Sequence, residues 1–150
     1  MSTTSPVRAL VCATLARKLR ERHDLAGVDV LDGPDLADTA QNTILIGDVE
    51  GSDGGIRNMK SGRKQRVDEF TITVLMRALT PQNTAAEARA TVERFVAALD
   101  TILAEDPLLD STPGLQHAVL AGYDGPDAVP TPEGCVGFIE ARVQCTVHLI

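Results

Sequence analysis

Histidines and carboxylates are the residues of this chain that could act as acids or bases in catalysis. The three histidines lie in different predicted elements, and neither a G-x-S-x-G elbow nor an H-E-x-x-H motif is present: they are His23, His117 and His148. Asp68 and Glu69 could meet Glu140 across neighbouring strands as paired carboxylates, although a charged sheet surface produces the same pattern more often. The sequence offers no enzyme signature, and we expect a protein without catalytic residues or a cofactor.

Cysteines and aspartates could bind metal ions, but their spacing here does not favour it. Cys12, Cys135 and Cys145 have no CxxC spacing, and we expect them to be buried as small hydrophobic residues. Four aspartates recur at intervals of three in a stretch without Lys or Arg: Asp29, Asp32, Asp35 and Asp38. An EF-hand loop needs Gly at its sixth position and Glu at its twelfth, which this stretch does not supply. A solvated acidic turn is the better interpretation, and no metal site is predicted.

The segment 50–66 differs most in composition from the rest of the chain. Gly51 to Arg66 contains four glycines and five basic residues, whereas the whole chain carries a net charge of −7. The basic residues are Arg57, Lys60, Arg63, Lys64 and Arg66. A loop of this length is uncommon inside a compact domain unless it is functional or disordered. No phosphate-binding glycine motif is present, so a protein-contact arm, a flexible hairpin and a nucleic-acid contact remain as alternatives.

The segment from Val67 to Leu79 predicts the central strand of the fold. Alternate residues from Phe70 to Ala78 are apolar, which is the period of a half-buried strand. Leu75 is apolar on the opposite side, which predicts partial cover of that second face. Pro81 ends the pattern because it donates no ladder hydrogen bond.

A long amphipathic helix is predicted to follow this strand and to lie against the sheet. Thr84 and Glu87 have the spacing of a capping box, in which each side chain accepts a hydrogen bond from the other residue's amide. The apolar stripe has helical spacing and consists of Ala88, Val92, Phe95, Val96, Leu99, Ile102 and Leu103.

The remaining segments predict one more helix and four more strands. The helix runs from Pro6 to His23 with Ser5 as N-cap, and its apolar face comprises Val7, Leu10, Val11, Thr14, Leu15 and Leu19. The strands are expected at 27–31, 42–50, 115–123 and 136–149, with a long turn at 124–134. This order indicates an α+β fold with a mostly antiparallel sheet of about five strands, two helices and a long projecting β-hairpin or loop at residues 50–66.

Length and composition indicate one domain and exclude several classes of protein. A chain of 150 residues buries about 68–70% of its unfolded surface, so residues 1–150 suffice for a single domain. Aromatic residues make up only 3% of the chain, which argues against a stacking surface for single-stranded nucleic acid. The negative charge opposes general binding to nucleic acid or anionic membranes. No apolar run has the length of a membrane helix, and we expect synthesis in a cytoplasm.

The order of these elements resembles the tail terminator, or tail completion, proteins of long-tailed bacteriophages, prophages and gene transfer agents. The resemblance covers nearly the whole chain: the helix 6–23, the strand 68–77, the helix 85–103 with the segment Asp106-Pro-Leu-Leu109, and the closing strand 137–147. The basic segment corresponds to the extended loop between strands in that family.

The resemblance implies a structural virion protein at the neck end of the tail, assembled in the host bacterial cytoplasm. Such a protein forms a hexameric ring that caps the tail tube, stops its polymerisation and presents a surface to the head-tail connector, and DNA passes through the ring as cargo. Arg57, Lys60, Arg63, Lys64 and Arg66 are then expected to contact a neighbouring subunit or the major tail tube protein. Another neck component such as a head-closure protein, a small nucleic-acid-binding module and a small enzyme are the alternatives.

Overall fold

Two α-helices and six strands form the part of the chain that the structure describes. The computed structural model describes residues 7–33, 42–51, 53–57, 65–81 and 84–149 of the 150. A short 3-10 turn, His23–Leu25, follows the first helix. The elements in chain order are α1 (Val7–Arg20), β1 (Asp29–Asp32), β2 (Asn42–Glu50), β3 (Asp53–Arg57), β4 (Gln65–Thr80), α2 (Ala85–Glu105), β5 (Leu115–Thr131) and β6 (Gly134–Leu149).

The strands form one sheet in the order β1-β2-β4-β6-β5, with β3 also paired to β4. The pairing is antiparallel except between β1 and β2, which run parallel. β2 pairs with residues 71–78 of β4 and β3 with residues 65–68, so the two short strands occupy one position in the sheet. The predicted α+β fold with a mostly antiparallel sheet and two helices is confirmed.

Both helices cover the same face of the sheet. One core cluster contains the buried stripe of α1, the buried stripe of α2 and alternate residues of β4 from Phe70 to Ala78. The α2 stripe is the predicted one, and its largest side chain, Phe95, is only 3% exposed. α2 approaches β6 most closely at Gly137, where an added Cβ would overlap the carbonyl oxygen of Ala88. This contact requires glycine because any larger side chain would push the helix away from the sheet.

The buried face of α1 differs from its predicted face at one large residue. Val7, Val11, Leu15 and Leu19 are buried as expected, but Leu10 is 45% exposed, so its predicted burial is wrong. The small residues Cys12 and Ala16 are buried instead. Successive residues of a helix are 100° apart, so a stripe that includes positions 12 and 16 turns position 10 toward solvent. The predicted start at Ser5 and Pro6 lies outside the described residues, and the helix ends at Arg20 rather than His23.

The predicted capping box at the start of α2 is wrong. Thr84 is the N-cap and has an extended backbone, but its side chain makes no capping hydrogen bond. The backbone carbonyl of Thr84 instead accepts a hydrogen bond from the Ala88 amide at 3.1 Å. The Thr84 and Glu87 side chains are both exposed, where water competes for the same donors.

The predicted turn at 124–134 is also wrong in extent. β5 continues to Thr131, and only Pro132 and Glu133 separate it from β6. The pairing of β5 with β6 shifts register at three places, the last between Asp124 and Asp127. β5 is the last strand of the described sheet, and no described strand pairs with its outer side. An edge strand tolerates proline and irregular register because that side of its backbone makes no ladder hydrogen bonds.

Candidate protein interface

Both described parts of the basic segment include strand residues of the sheet. We call residues 51–66 the basic arm; its two limbs are β3 and the start of β4, which pair antiparallel with Ile56 opposite Arg66 and Arg57 opposite Gln65. The other edge of this part of β4 pairs with β6. The backbones of two predicted contact residues, Arg57 and Arg66, therefore lie in neighbouring strands. The other three lie outside the described residues: Lys60, Arg63 and Lys64.

A close backbone crossing separates β2 from the basic arm. At Gly51 an added Cβ would overlap the carbonyl oxygen of Glu69 and the backbone of Phe70. Only glycine permits the chain to pass β4 this closely, because every other residue places a carbon at that point. The crossing fixes where β2 ends and the basic arm begins.

The second face of the sheet carries no helix among the described residues, and we call it the open face. Alternate side chains of β4 and β6 lie on this face. The pair Leu79 and Val136 lies near one end of the two strands, and further pairs follow at every second residue. Five apolar residues cluster there, and we call them the apolar patch: Leu75, Leu79, Val129, Val136 and Phe138. Leu75 and Phe138 are each 41% exposed and Val129 is 46% exposed. Leu75 is therefore less covered than predicted, and its exposed side chain is available for contact.

Charged side chains surround the apolar patch on the open face. Glu140 lies opposite Leu75 on one side and Asp124 on the other, and Asp127 lies opposite Phe138. The Arg142 guanidinium donates a hydrogen bond to the Asp124 carboxylate at 2.9 Å. Arg77 lies opposite Phe138. The border therefore has three carboxylates and two guanidinium groups, a net charge of −1 from these residues.

The apolar patch and the basic arm lie at opposite ends of β4. The arm joins β4 at Gln65, whereas the patch surrounds residues 75–79 near the other end of the same strand. Ten residues of β strand between Gln65 and Leu75 span about 33 Å. The basic arm and the apolar patch are therefore two separate candidate contact surfaces.

The structure separates the candidate catalytic groups. Glu69 lies opposite Thr146, and Glu140 is six residues further along β6, so the two carboxylates are about 20 Å apart. The His117 ring nitrogen is 3.4 Å from the Thr146 hydroxyl on the open face. His23 lies in the 3-10 turn at another part of the fold. Glu69 and Glu140 therefore do not meet as a carboxylate pair, and the Asp68 side chain lies outside the described residues.

The cysteines are buried, as predicted. Burial raises the pKa of the Cys12 thiol to about 11, and the charge of Asp32 contributes in the same direction. Burial, with a smaller contribution from Cys12, raises the pKa of the Cys145 thiol to about 12. Both thiols are protonated at neutral pH and are poor nucleophiles. Among the described residues no group of three or more His, Cys, Asp or Glu side chains is arranged to hold a metal ion.

An ion-pair cluster joins α1 to the segment between α2 and β5. The Lys18 ammonium lies 2.9 Å from the Asp106 carboxylate and 3.0 Å from that of Asp110. Arg17 also binds Asp110 and pairs with Glu21. The hydrogen bond from Lys18 is the main cause of the lowered pKa of both Asp106 and Asp110. The cluster links α1 to this connection on the helical side of the sheet.

Comparison with known proteins identifies a shared fold. No protein-family model matches the sequence, and no curated protein does so either. A chain in the virion of a native gene transfer agent (GTA) particle is similar in structure, with a TM-score of 0.58 and 17% sequence identity. The match covers 99% of this chain and 100% of that one, so the two share one fold along their whole length. No described helix is long and apolar enough to cross a membrane.

Sequence reasoning missed most of the apolar patch as a candidate interface. The sequence contains a signal for it: apolar residues at strand positions that the alternation assigns to the polar face. These residues are Leu75 in β4, and Val136 and Phe138 in β6. Only Leu75 stood out in the sequence, because it interrupts an otherwise regular alternation. Val129 could not be assigned to the surface, because it lay in a predicted turn.

Proposed function

We propose that this protein is a structural virion component that caps the end of a tail tube as a ring. In this role it stops polymerisation of the tube and provides a surface for joining the head to the tail, at the neck end of the virion. The observation that carries the proposal is the shared fold, over 99% of this chain and 100% of the other, with a chain of the gene transfer agent virion. The sequence resemblance to tail terminators supports the same function independently of that comparison.

The surfaces of the molecule suit an assembly protein. A ring of identical subunits needs two different surfaces that complement each other, because a head-to-tail contact is heterologous. The apolar patch and the basic arm are two such surfaces at opposite ends of β4. We assign the contacts with a neighbouring subunit or with the major tail tube protein to Arg57, Lys60, Arg63, Lys64 and Arg66, and place the head-tail connector on another side of the ring.

The negative net charge of the chain favours passage of DNA through the proposed ring over binding of DNA. Each copy carries −7, so six copies carry −42. A channel through an acidic ring repels the phosphate backbone, and DNA can move through it as cargo without being held. Assembly would take place in the host bacterial cytoplasm, without catalysis or a cofactor.

Deletion of the gene that encodes this chain tests the proposed function. Particles without the protein should have tails of abnormal and variable length, and their heads should remain unjoined, as measured by electron microscopy. Wild-type protein supplied from a plasmid should restore both properties. Tails of normal length joined to heads in the deletion would contradict the proposal.

Reversal of charge in the basic arm tests the assigned contact residues. The variant Arg63→Glu/Lys64→Glu should reduce the yield of joined particles by at least about tenfold, while its urea unfolding midpoint stays that of the wild type. The matched control Arg89→Glu/Arg94→Glu makes the same charge change on the exposed side of α2 and should leave the yield unchanged. Normal infectious particles from the arm variant would refute the assignment of these residues.

A nucleic-acid-binding module is the second candidate, and the concentration of five cations in the basic arm favours it. A complex held by four or five phosphate contacts weakens steeply with salt. A specific DNA complex that survives 200 mM salt would support this candidate against the ring. A head-closure protein differs from a tail terminator in its position, which labelling of the protein in assembled particles would reveal.

A further inference from the structure

An exposed leucine on α1 has no role in the core. We call the exposed side of this helix the outer face of α1; its residues lie within an arc of about 100° and are Ala9, Leu10, Ala13, Arg17 and Arg20. Leu10 is 45% exposed. The other exposed large apolar residues in the described part of the chain lie in strands or in the connection before β5. The outer face of α1 therefore combines an apolar half with two guanidinium groups.

The apolar patch lies on the opposite side of the molecule. Leu75, Val129 and Phe138 are its most exposed members, and no described helix covers them. Contiguous apolar surface with a polar border is typical of protein contact sites. Both helices pack on the other face of the sheet, so the outer face of α1 points away from the open face. Contact between these two surfaces therefore requires two copies of the chain.

The charges of the two surfaces have opposite signs. α1 contains four cations and no carboxylate. On its outer face, Arg17 belongs to the ion-pair cluster, whereas Arg20 donates hydrogen bonds of 3.1 and 2.8 Å to the carbonyl oxygen of Val30. Because this carbonyl group is neutral, it leaves the charge of Arg20 in place. The patch has a border of net charge −1 that includes the exposed carboxylates Glu140 and Asp127. Opposite charges around two apolar centres favour contact between the surfaces.

The spacing of apolar and charged groups is also similar on the two surfaces. Along the axis of α1, Leu10 is about 10 Å from Arg17 and about 15 Å from Arg20. Along β6, Val136 is about 13 Å from Glu140. A helix that lies along β6 with Leu10 over Val136 therefore brings its arginines to the carboxylate border.

The other helix does not offer a comparable surface. The exposed residues of α2 include Glu87, Glu93 and Asp100, and none of its large apolar residues is exposed. The carboxylates in the border of the patch would repel these three side chains. α1 is therefore the helix whose surface complements the patch.

We infer that the outer face of α1 in one copy packs on the apolar patch of the next copy. Leu10 contacts Phe138 and its apolar neighbours, and Arg20 approaches Glu140 of the receiving copy. This contact joins two different surfaces on opposite sides of the molecule, so copies add head to tail and close into a ring if the rotation between them permits. The inference rests on the proposed function, because it names the surfaces through which the subunits of that ring meet.

Two substitutions block the two surfaces separately. Leu10→Glu places a carboxylate against the acidic border, and Phe138→Glu removes the largest side chain of the patch. Each variant alone should associate at least about tenfold more weakly than the wild type. Both residues are exposed, so the urea midpoints should stay close to that of the wild type. The measurement is the weight-average mass by sedimentation velocity over a range of protein concentrations.

A mixture of the two variants tests whether these two surfaces bind each other. The Phe138→Glu copy retains the outer face of α1 and the Leu10→Glu copy retains the patch, so the mixture should form a complex with a mass that approaches twice 15.9 kDa. This complex cannot grow further, because its two remaining surfaces both carry the introduced carboxylate. The matched control Ala97→Glu, at an exposed position of α2, should associate like the wild type.

Recovery in the mixture distinguishes this contact from a general loss of folding, because a misfolded variant cannot bind its partner. The inference is overturned if either single variant associates normally, if the mixture is no heavier than its components, or if the wild type stays monomeric at every concentration. Tail length in the deletion strain tests the proposed function separately, so either conclusion can fail alone.

Discussion

Individual residues determine how closely the helices approach the sheet. Phe95 fills the space between α2 and the strands, whereas Gly137 leaves room for the backbone of α2 at Ala88. The large and the small residue act together, because close packing permits neither a cavity nor an overlap in the core. The open face has no such constraint, which is why Leu75 and Phe138 can remain exposed there.

Truncation of Phe95 should lower stability strongly. Phe95→Ala removes a ring that is 3% exposed, and the lost burial together with the remaining cavity should reduce the free energy of unfolding by about 3–5 kcal/mol. Urea denaturation measures this change. The control Glu93→Ala, at an exposed position of the same helix, should change it by less than about 0.5 kcal/mol. A loss below about 1 kcal/mol for Phe95→Ala would show that α2 packs differently.

The connection between α2 and β5 depends on contacts from another element. Leu109, Asp110 and Ser111 all have positive φ values, of 46°, 59° and 56°, a conformation that is unfavourable for residues with a side chain. Leu109 is fully buried, and the Thr112 hydroxyl donates a hydrogen bond to its carbonyl oxygen at 2.7 Å. Lys18 of α1 adds its ion pairs from the other side. Packing and ion pairs together offset the backbone cost of this connection.

The ion-pair cluster should make a contribution to stability that is lost in acid. Lys18 lowers the pKa of the Asp106 and Asp110 carboxyl groups in the folded state, so their contribution is present above the unfolded-state pKa of about 3.9. It is lost as the pH falls through the lower folded-state pKa. The difference in urea midpoint between wild type and Lys18→Met should therefore be constant above that pH and shrink below it.

An exposed cation elsewhere provides the control for the pH experiment. Arg89→Met removes a positive charge from the exposed side of α2. The difference in urea midpoint between this variant and the wild type should not shrink in acid. A Lys18→Met difference that stays unchanged down to about pH 2 would mean that the two aspartates contribute nothing through ionisation.

At the scale of the whole molecule, the basic arm and the apolar patch lie at opposite ends of one long strand. β4 extends for 16 residues, from the basic arm to the apolar patch. In the proposed ring, a heterologous contact repeats from copy to copy until the ring closes. Ring closure defines the number of copies, and the resemblance to tail terminators predicts six.

The solution mass should reveal this assembly. Light scattering over a range of concentrations should approach six times 15.9 kDa for the wild type, and the arm variant Arg63→Glu/Lys64→Glu should have a lower mass at equal concentration. A mass that levels off at another multiple of 15.9 kDa would contradict the hexamer but would still be compatible with head-to-tail contact. A constant mass of 15.9 kDa would exclude ring formation without the tail tube.

Local periodicity determined much of the fold before any contact was known. The alternation from Phe70 to Ala78 and the stripe from Ala88 to Leu103 predict β4 and α2 because side-chain direction repeats every two residues in a strand and every 3.6 in a helix. The concentration of five cations in residues 51–66 is equally a property of the sequence alone, and it defined one of the two candidate contact surfaces.

Tertiary structure decided the features that depend on distant neighbours. Leu10 is exposed and Cys12 buried because of where the sheet lies relative to α1, and β5 continues through a proline-containing segment because no described strand pairs with its outer edge. The apolar patch exists only when β4, β5 and β6 are side by side and both helices lie on the other face. Periodicity identifies the two sides of each strand, but only long-range packing determines which side remains uncovered, since that depends on segments far apart in the sequence.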